Sequence, residues 1–361
     1  MSHVFNFSAG PAMLPTEVML KAQKEFLDWQ GHGCSVMEMS HRSKPFIALA
    51  EKATNDLRTL LSIPKDYHVL FTHGGGRGQF SAVPMNLALL GDSADHLVTG
   101  SWSKGAVKEA NNYQQANVVA QTVVENNIIT LPDRSTWSFN PDAAYFHFCP
   151  NETVDGFEMD WVPDTQGVPV VADMSSTILS RKIDINQYGL IYGGAQKNIG
   201  PSGLSVVIVH ESLIDKARDD TPSILRYDLI AKNDSMYNTP PTFAWYLAGL
   251  VFEWLLEQGG VDNIEAANKQ KAELLYGAID NLDLYSNNIA SEYRSRMNVP
   301  FHLADPTLDG MFLQQAEQAG LKALKGHRSV GGMRASIYNA MPLAGVQALV
   351  NFMKDFEKRN G

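Results

Sequence analysis

The 361-residue sequence has little cysteine, no long apolar run and no excess of positive charge. Its two cysteines, Cys34 and Cys149, cannot form the disulfide framework of a secreted protein, so we expect a reducing, cytoplasmic location. No apolar run approaches the roughly 20 residues that span a bilayer, and the N-terminus does not predict a signal peptide. The net charge of −10 does not favour a nucleic-acid or anionic-membrane partner. We therefore expect a soluble protein that acts on small molecules.

The order of the segments predicts an α/β fold. Hydrophobic residues make up 44% of the chain, which is enough for a buried core. From about residue 69 to 209, short apolar strands alternate with helical or irregular segments, as in a mostly parallel sheet. Helices are predicted over residues 15–29, 44–61, 79–90, 242–258 and 261–281. The predicted organisation is an N-terminal arm (1–15), a large α/β domain (16–287) and a small C-terminal α+β domain (288–361).

Two short apolar runs lead to residues that carry chemistry. The run LIYGG leads through AQ to Lys197, and the run VPVVA ends on Asp173. Both runs lack alternation, which is typical of buried parallel strands. A buried lysine amine forms Schiff bases, and a carboxylate can keep a pyridine nitrogen protonated. A surface lysine or a capping aspartate is the commoner explanation for either residue alone, but together they predict pyridoxal 5′-phosphate.

Three further segments fit that cofactor. The turn HGGGRGQ at residues 73–79 lies between a strand and a helix, where backbone amides can bind phosphate. It is neither a P-loop nor a dinucleotide fingerprint, and an ordinary tight turn is the alternative. Trp102 either stacks on the pyridine ring or packs in the core, and the Thr153 hydroxyl could bond to the pyridoxal oxygen. His147 and Cys149 have no paired second motif, so we expect core packing and no metal site.

Arginines cluster in two segments that suit anionic substrates. One segment contains His41 and Arg42, and the other contains His327, Arg328 and Arg334. Surface arginines are the default, yet Arg334 opens an otherwise apolar strand. Guanidinium groups bind carboxylates through two parallel hydrogen bonds, and the His-Arg pairs suit a dianionic phosphate.

Asn238 and Thr239 precede a Pro-Pro step and a predicted helix. They either cap this helix or provide a second phosphate contact that reaches into a partner subunit. The sequence alone leaves both alternatives open.

Taken together, nine segments between Phe5 and Phe356 resemble the phosphoserine aminotransferase family, whose members are class-V, fold-type-I pyridoxal-phosphate enzymes. Each segment alone is a modest signal, but their order and joint presence are specific. The segments are FNFSAGPAMLP, SVMEMSHRSKPF, FTHGGGRGQF, CPNETVDG, VVADMSST, GGAQKNIGPSG, YNTPPTFAWY, KGHR and GGMRASIYNAMP.

The resemblance implies a fold-type-I homodimer whose active sites lie at the subunit interface. It implies that Lys197 is the Schiff-base lysine and proton carrier, that Asp173 pairs with the pyridine nitrogen, and that Trp102 stacks on the ring. The resemblance further implies that the cofactor phosphate region is contacted by Gly76, Arg77 and Gln196, and by Asn238 and Thr239 of the other subunit. It implies that Thr153 contacts the ring hydroxyl. The substrate phosphate would be bound by His41, Arg42, His327 and Arg328, and the substrate carboxylate by Arg334.

The implied reaction transfers an amino group from L-glutamate to 3-phosphohydroxypyruvate and gives O-phospho-L-serine and 2-oxoglutarate, a step of serine biosynthesis. Some family members also aminate the phosphorylated 2-oxo acid of pyridoxal phosphate (pyridoxine) biosynthesis. Two alternatives remain at this point. A cysteine desulfurase needs a nucleophilic cysteine on a mobile loop, for which Cys34 is the candidate. A non-catalytic sugar-phosphate or nucleotide binder would leave Lys197 and Asp173 without a purpose.

Overall fold

The computed structural model describes residues 4–361, which form an α/β unit with a smaller α+β unit at the C-terminal end. The helices are α1 Thr16–Lys24, α2 Lys44–Leu61, α3 Gly75–Leu87, α4 Ser101–Ala110, α5 Tyr227–Lys232, α6 Thr242–Glu257, α7 Val261–Asn281, α8 Asp309–Gln318 and α9 Leu343–Asn360. The strands are β1 Phe5–Asn6, β2 Tyr67–Thr72, β3 Ser93–Val98, β4 Gln115–Gln121, β5 Val123–Glu125, β6 Ile128–Thr130, β7 Phe146–Phe148, β8 Val170–Asp173, β9 Leu190–Gly194, β10 Ser205–His210, β11 Tyr285–Ser286, β12 Asn298–Leu303, β13 Leu321–Lys322 and β14 Met333–Ser336.

The large unit is built on a seven-stranded sheet with the order β2-β10-β9-β8-β7-β3-β4. Strand β10 is antiparallel to both of its neighbours, β2 and β9. The pairs from β9 to β4 are all parallel. This arrangement confirms the predicted mostly parallel sheet, and it brings the carboxyl ends of β2, β3, β7, β8 and β9 to the same edge.

Both faces of this sheet are covered, which explains why its strands do not alternate in polarity. On one face, Ala172 and Ile191 belong to a core that includes α2 and α6. On the other face, Val171 and Tyr192 belong to a core that includes α3 and α5. Successive residues of one strand therefore enter different cores, and each strand position is apolar.

A third core lies around the three-stranded sheet β11-β12-β14 and helices α8 and α9. Phe301, Phe312 and Phe356 are fully buried in it. The same core includes the C-terminal half of α7 and also Phe7 from the N-terminal arm. The arm pairs with this unit through β1 and β13, with Phe5 opposite Leu321. The domain boundary near residue 288 stays a prediction.

Two predicted helices have different bounds in the structure. The helix predicted over 15–29 ends at Lys24, because Trp29 turns back into the core and is 4% exposed. The helix predicted from residue 79 begins at Gly75. Gly74 and Gly75 have φ values of 94° and 63°, so the chain turns directly from β2 into the helix. Among residues 4–361, no helix is both long and apolar enough to cross a bilayer.

Candidate active site

Five of the segments that the sequence singles out converge at the carboxyl edge of the parallel strands. Asp173 is the last residue of β8, and Lys197 lies three residues after the end of β9. Thr153 follows β7, Trp102 lies in the first turn of α4 after β3, and Gly74–Gly76 join β2 to α3. In open α/β sheets, this edge is where ligands bind.

Lys197 is a buried amine with an unusual local environment. It is 7% exposed, and its Nζ donates a hydrogen bond to Thr153 Oγ1 at 2.6 Å. Burial lowers the pKa of Lys197, and the nearby carboxylate of Asp173 opposes this shift. A lysine with a lowered pKa has more of its amine in the neutral, nucleophilic form.

Asp173 is held in a fixed orientation beside the lysine. Its Oδ1 accepts hydrogen bonds from Ser175 N at 2.9 Å and from Ser175 Oγ at 2.6 Å. Ser175 Oγ in turn accepts from Gly194 N at 3.0 Å, which ties β8 to β9. Burial raises the pKa of Asp173, while Lys197 and Ser175 oppose that shift. Such a carboxylate can share a proton with a basic ring nitrogen.

These groups surround a cavity of about 240 Å³. A Cβ at Gly76 would stand 3.3 Å from Ser175 Oγ and 3.6 Å from Asp173 Oδ2, so a glycine keeps this wall open. The helix α3 begins here and directs its first amide groups towards the same edge. The cavity is lined by Gly74, Gly75, Gly76, Arg77, Trp102, Asp173, Ser175, Gln196 and Lys197.

The donor set fits a flat heteroaromatic ring that carries a phosphate group. The indole of Trp102 forms one wall, with Lys197 Nζ 5.5 Å and Arg77 Cζ 5.3 Å from its ring centroid. Trp102 Nε1 is buried and has no protein partner among the described residues. Glycine amides and Arg77 supply donors for an anion, and Lys197 and Asp173 supply the two reactive groups. Pyridoxal phosphate has the matching shape and charges.

Arg334 is the one member of the C-terminal arginine cluster that contacts this region. Its Nη1 donates to Thr153 O at 3.3 Å, and its Nε is buried without a partner among residues 4–361. His327 and Arg328 are exposed on the loop between β13 and β14. The His327 imidazole bonds to Ser329 Oγ at 2.6 Å, and neither residue lines the 240 Å³ cavity.

The other predicted anion-binding residues lie elsewhere in the chain. Arg42 lines a separate cavity of about 440 Å³ together with residues 233–236. Asn238 and Thr239 are exposed on the segment that continues from there into α6, and His41 is half-buried. The structure thus places these two segments on one region of the surface and does not bring them to Lys197 within one chain.

Sequence reasoning missed two residues at this site. Ser175 holds Asp173, and its only sequence signal is its position two residues after the aspartate, where a side chain commonly bonds back. Glu152 is fully buried and binds the first turn of α4. Its contact partners lie about 50 residues away in the chain, so no local pattern could identify them.

The size of a cavity does not identify this site. A larger cavity of about 540 Å³ lies between α1, α2 and α6. Its charged side chains pair with one another, as in Lys21 with Glu253 at 2.7 Å and Lys52 with Asp56 at 2.6 Å. The smaller cavity is the candidate because its reactive groups face the open space.

The cysteines do not offer a nucleophile at this edge. Cys149 is buried, and burial raises the pKa of its thiol well above the usual value. Its thiol is therefore protonated at neutral pH and is a poor nucleophile. Cys34 is half-buried between α1 and α2 and does not line the cavity around Lys197.

Comparisons with known proteins agree with this geometry. Residues 4–349 match the family described as aminotransferase class-V. A phosphoserine aminotransferase from Bacillus circulans subsp. alkalophilus is 46% identical, with a TM-score of 0.97 over 100% of both chains. A pyridoxal-phosphate-bound phosphoserine aminotransferase from Trichomonas vaginalis is 42% identical, with a TM-score of 0.93 over 98% of this chain and 100% of that one. A third such enzyme, studied for radiation damage to its Schiff base, is 42% identical, with a TM-score of 0.96 over 99% and 100%.

Proposed function

The chain belongs to the class-V aminotransferase family, and on that premise we propose that it transfers the amino group of L-glutamate to 3-phosphohydroxypyruvate. The products would be O-phospho-L-serine and 2-oxoglutarate. The enzyme is an aminotransferase that uses pyridoxal phosphate. Phosphoserine aminotransferases that match the whole chain at 42–46% identity support this choice of substrates.

One observation carries the proposal: Lys197 and Asp173 face the same small cavity beneath Trp102. Bound pyridoxal phosphate supplies an aldehyde that accepts the amino group and a ring that takes up the electron pair released when a Cα–H bond breaks. A plain sugar-phosphate binder needs neither a buried amine nor a buried carboxylate.

The residues of this chain then have separate tasks. Lys197, with its lowered pKa, is suited to remove the proton from the substrate Cα and to return it at the other end of the amino transfer. Asp173 holds a proton at the ring nitrogen. Trp102 fixes the plane of the ring and keeps water from one of its faces.

The anion-binding residues set which substrates enter. We assign Gly76, Arg77 and Gln196 to the cofactor phosphate and Thr153 to the ring hydroxyl. We assign Arg334 to the α-carboxylate that both substrates carry, because its Nε lacks a protein partner among the described residues. His327 and Arg328 lie on the adjoining loop, so we assign them to the distal phosphate or carboxylate.

We propose a homodimer in which each active site uses residues of both subunits. His41, Arg42, Asn238 and Thr239 have side chains suited to phosphate, yet they do not line the cavity of their own chain. A second copy that places this surface over the cavity would complete both phosphate sites. In this arrangement, His41 and Arg42 face the substrate phosphate and Asn238 and Thr239 face the cofactor phosphate.

We also propose that the enzyme acts in the cytoplasm, in keeping with its two free thiols. The division into an arm, a large unit and a small unit near residues 15 and 288 is part of the same proposal.

The direct test is an assay of the holoenzyme with L-glutamate and a panel of 2-oxo acids. We expect 2-oxoglutarate to form rapidly with 3-phosphohydroxypyruvate and much more slowly with pyruvate, which has the same reacting group without the phosphate. The phosphorylated 2-oxo acid of pyridoxine biosynthesis belongs in the panel, because the same cationic groups would bind it. Equal rates with pyruvate and 3-phosphohydroxypyruvate would contradict the proposal.

The shared site is tested by mixing inactive chains. A hybrid of Lys197→Ala and Thr239→Ala chains has one intact site only if Thr239 acts across the interface, so mixing should restore activity. The matched control is a mixture of Lys197→Ala and Asp173→Asn chains, because both residues line the same cavity of one chain. That mixture should stay inactive. Restoration in neither mixture would show that Thr239 serves its own chain.

A further inference from the structure

The first turn of α4, which carries Trp102, is held by two carboxylates from a distant loop. Glu152 Oε2 accepts from Trp102 N at 2.8 Å, and Glu152 Oε1 accepts from Ser103 N at 2.8 Å and Ser103 Oγ at 2.6 Å. Asp155 Oδ2 accepts from Ser101 N at 2.7 Å. Three consecutive amide groups at the start of this helix therefore bind to one loop.

This contact does more than cap a helix. Ser103 Oγ accepts from Thr99 N at 2.9 Å and Gly100 N at 3.0 Å, the two amide groups that precede the helix, so the amides of the first helical turn are left to the distant loop. Glu152 is 0% exposed, and burial raises its pKa to about 7. A buried carboxylate is costly, whereas a local cap is not. Unlike a local cap, Glu152 also ties the first turn of α4 to a loop about 50 residues later in the chain.

The contact fixes where the helix stands relative to the reactive lysine. A Cβ at Gly100 would meet Asp155 Oδ2 at 2.5 Å and Glu152 Cδ at 2.7 Å, so loop and helix are in close contact. The Trp102 ring centroid lies 5.5 Å from Lys197 Nζ. The indole itself has no hydrogen bond to hold it, because Nε1 is unpartnered among the described residues. The indole is held by packing against Phe80 and by the position of its own backbone, and Glu152 binds the backbone amide.

We propose that Glu152 is a positioning residue that acts through Trp102, setting the plane of the indole over the cofactor ring. This inference rests on the proposed function for its cofactor, not for its substrates. A carboxylate accepts at both oxygens, whereas the carboxamide of Glu152→Gln would turn an NH₂ group towards one of the two donors. The first turn of α4 would then shift, and the indole with it.

The test is a double-mutant cycle that combines Glu152→Gln with Trp102→Ala. In the wild-type background, we expect Glu152→Gln to lower kcat by on the order of tenfold, since small misplacements in a site have effects of this size or larger. In the Trp102→Ala background, we expect the same change to alter kcat by less than about twofold, because a residue that acts through the indole is coupled to it and loses its effect when the indole is gone. Equal losses in both backgrounds would overturn the proposal.

A second readout needs the cofactor but no substrate. The visible circular dichroism of bound pyridoxal phosphate reports how the protein orients the ring. We expect Glu152→Gln to change this signal strongly in the wild-type background and little in the Trp102→Ala background. A lower melting temperature with unchanged dichroism and kcat would show that Glu152 only caps the helix, and would overturn the proposal.

Two further variants keep the test interpretable. Asp155→Asn removes a charge from the same loop but does not touch the Trp102 amide, so it should change the dichroism less than Glu152→Gln; an equal change would count against the proposal. Glu152→Asp retains the charge but shortens the side chain by one methylene group. It replaces Glu152→Gln in these tests if the glutamine variant does not fold. The dichroism readout is independent of the amino acceptor, so an enzyme that rejects 3-phosphohydroxypyruvate would contradict the proposed function alone.

Discussion

Lys197 and Lys271 are both buried lysines, and their surroundings differ in a way that separates chemistry from structure. Their exposed fractions are 7% and 2%, and burial lowers the pKa of both. Lys271 Nζ donates to three backbone carbonyls, those of Ile337 at 3.1 Å, Tyr338 at 2.7 Å and Met341 at 3.0 Å. Every hydrogen that Lys271 Nζ carries therefore has a carbonyl acceptor, and the turn before α9 is held in place.

Lys197 has hydrogen-bonding capacity left over. Among the described residues, its Nζ has one hydrogen-bond partner, Thr153 Oγ1, and it faces a cavity of about 240 Å³ opposite Asp173. Burial and a lowered pKa therefore do not by themselves identify a nucleophile. What identifies Lys197 as the nucleophile is an amine with unused hydrogen-bonding capacity that faces a cavity beside a carboxylate.

The largest expected effect tests this contrast directly. Lys197→Ala should reduce transamination to the background rate, because the amine that binds the cofactor and moves the proton is gone. Lys271→Met should retain turnover in any protein that folds, because Lys271 does not line the cavity around Lys197. Borohydride reduction of the wild-type holoenzyme, followed by peptide mapping, should place the label on Lys197. A label on Lys271 or on any other lysine would contradict the assignment of Lys197 as the lysine that binds the cofactor.

The next largest effect concerns Asp173, the carboxylate beside Lys197, which has no counterpart beside Lys271. Asp173→Asn should lower turnover by on the order of a hundredfold, as expected when a charged hydrogen bond is lost in a buried site. Cofactor retention should fall far less, because the phosphate contacts survive. Dialysis measures retention and steady-state kinetics measures turnover.

Ser175→Ala is the control for Asp173→Asn. It removes a hydrogen bond to the carboxylate and keeps the charge, so its effect on turnover should be smaller. Near-normal turnover in Asp173→Asn would refute the role of this residue.

The difference between the two lysines also shows what a sequence can reveal. Lys197 follows a short apolar strand and a glycine pair, a pattern that predicts a ligand edge. Lys271 lies in the amphipathic helix α7, where a lysine normally faces solvent. Its burial depends on carbonyl groups 66 to 70 residues later in the chain. The strand ends and the sheet were therefore predictable, whereas the buried contacts of Lys271 and Glu152 depend on tertiary packing.

The next prediction asks whether the arginines assigned to the substrate distinguish its two ends. Arg334→Ala should weaken both half-reactions, because both substrates carry an α-carboxylate. Arg42→Ala and Arg328→Ala should slow the reaction with 3-phosphohydroxypyruvate more than that with glutamate, since a phosphate offers more charge and more acceptors. Each lost charged hydrogen bond should lower efficiency by roughly tenfold to a hundredfold.

Single-turnover kinetics of each half-reaction measure these losses separately. The spectrum of the bound cofactor should stay unchanged in all three variants and serves as the internal control. Equal losses on the two substrates in Arg42→Ala and Arg328→Ala would mean that these arginines shape the pocket without binding the phosphate.

The smallest effect is the contribution of Lys271 to the pH dependence of stability. Burial lowers the pKa of Lys271 from 10.5 to about 7. Between these two values the unfolded chain holds this proton and the folded chain does not, so the contribution of Lys271 to stability rises with pH. Below about pH 7 both states are protonated, and the contribution is constant.

The measurement is the difference in Tm between wild type and Lys271→Met from pH 6 to pH 9.5, because this difference cancels the other titrating groups. Removing the donor to three buried carbonyls should destabilise the protein by about 2 kcal/mol or more even at pH 6. The difference should then widen above pH 7. Lys269→Met is the control, since Lys269 lies on the same helix with 68% of its side chain exposed and forms an ion pair with Glu273 at 3.9 Å; its Tm difference should be small. A Lys271→Met difference that stays flat from pH 7 to 9.5 would show that Lys271 keeps its proton in the folded state, and the two buried lysines would then differ in charge as well as in contacts.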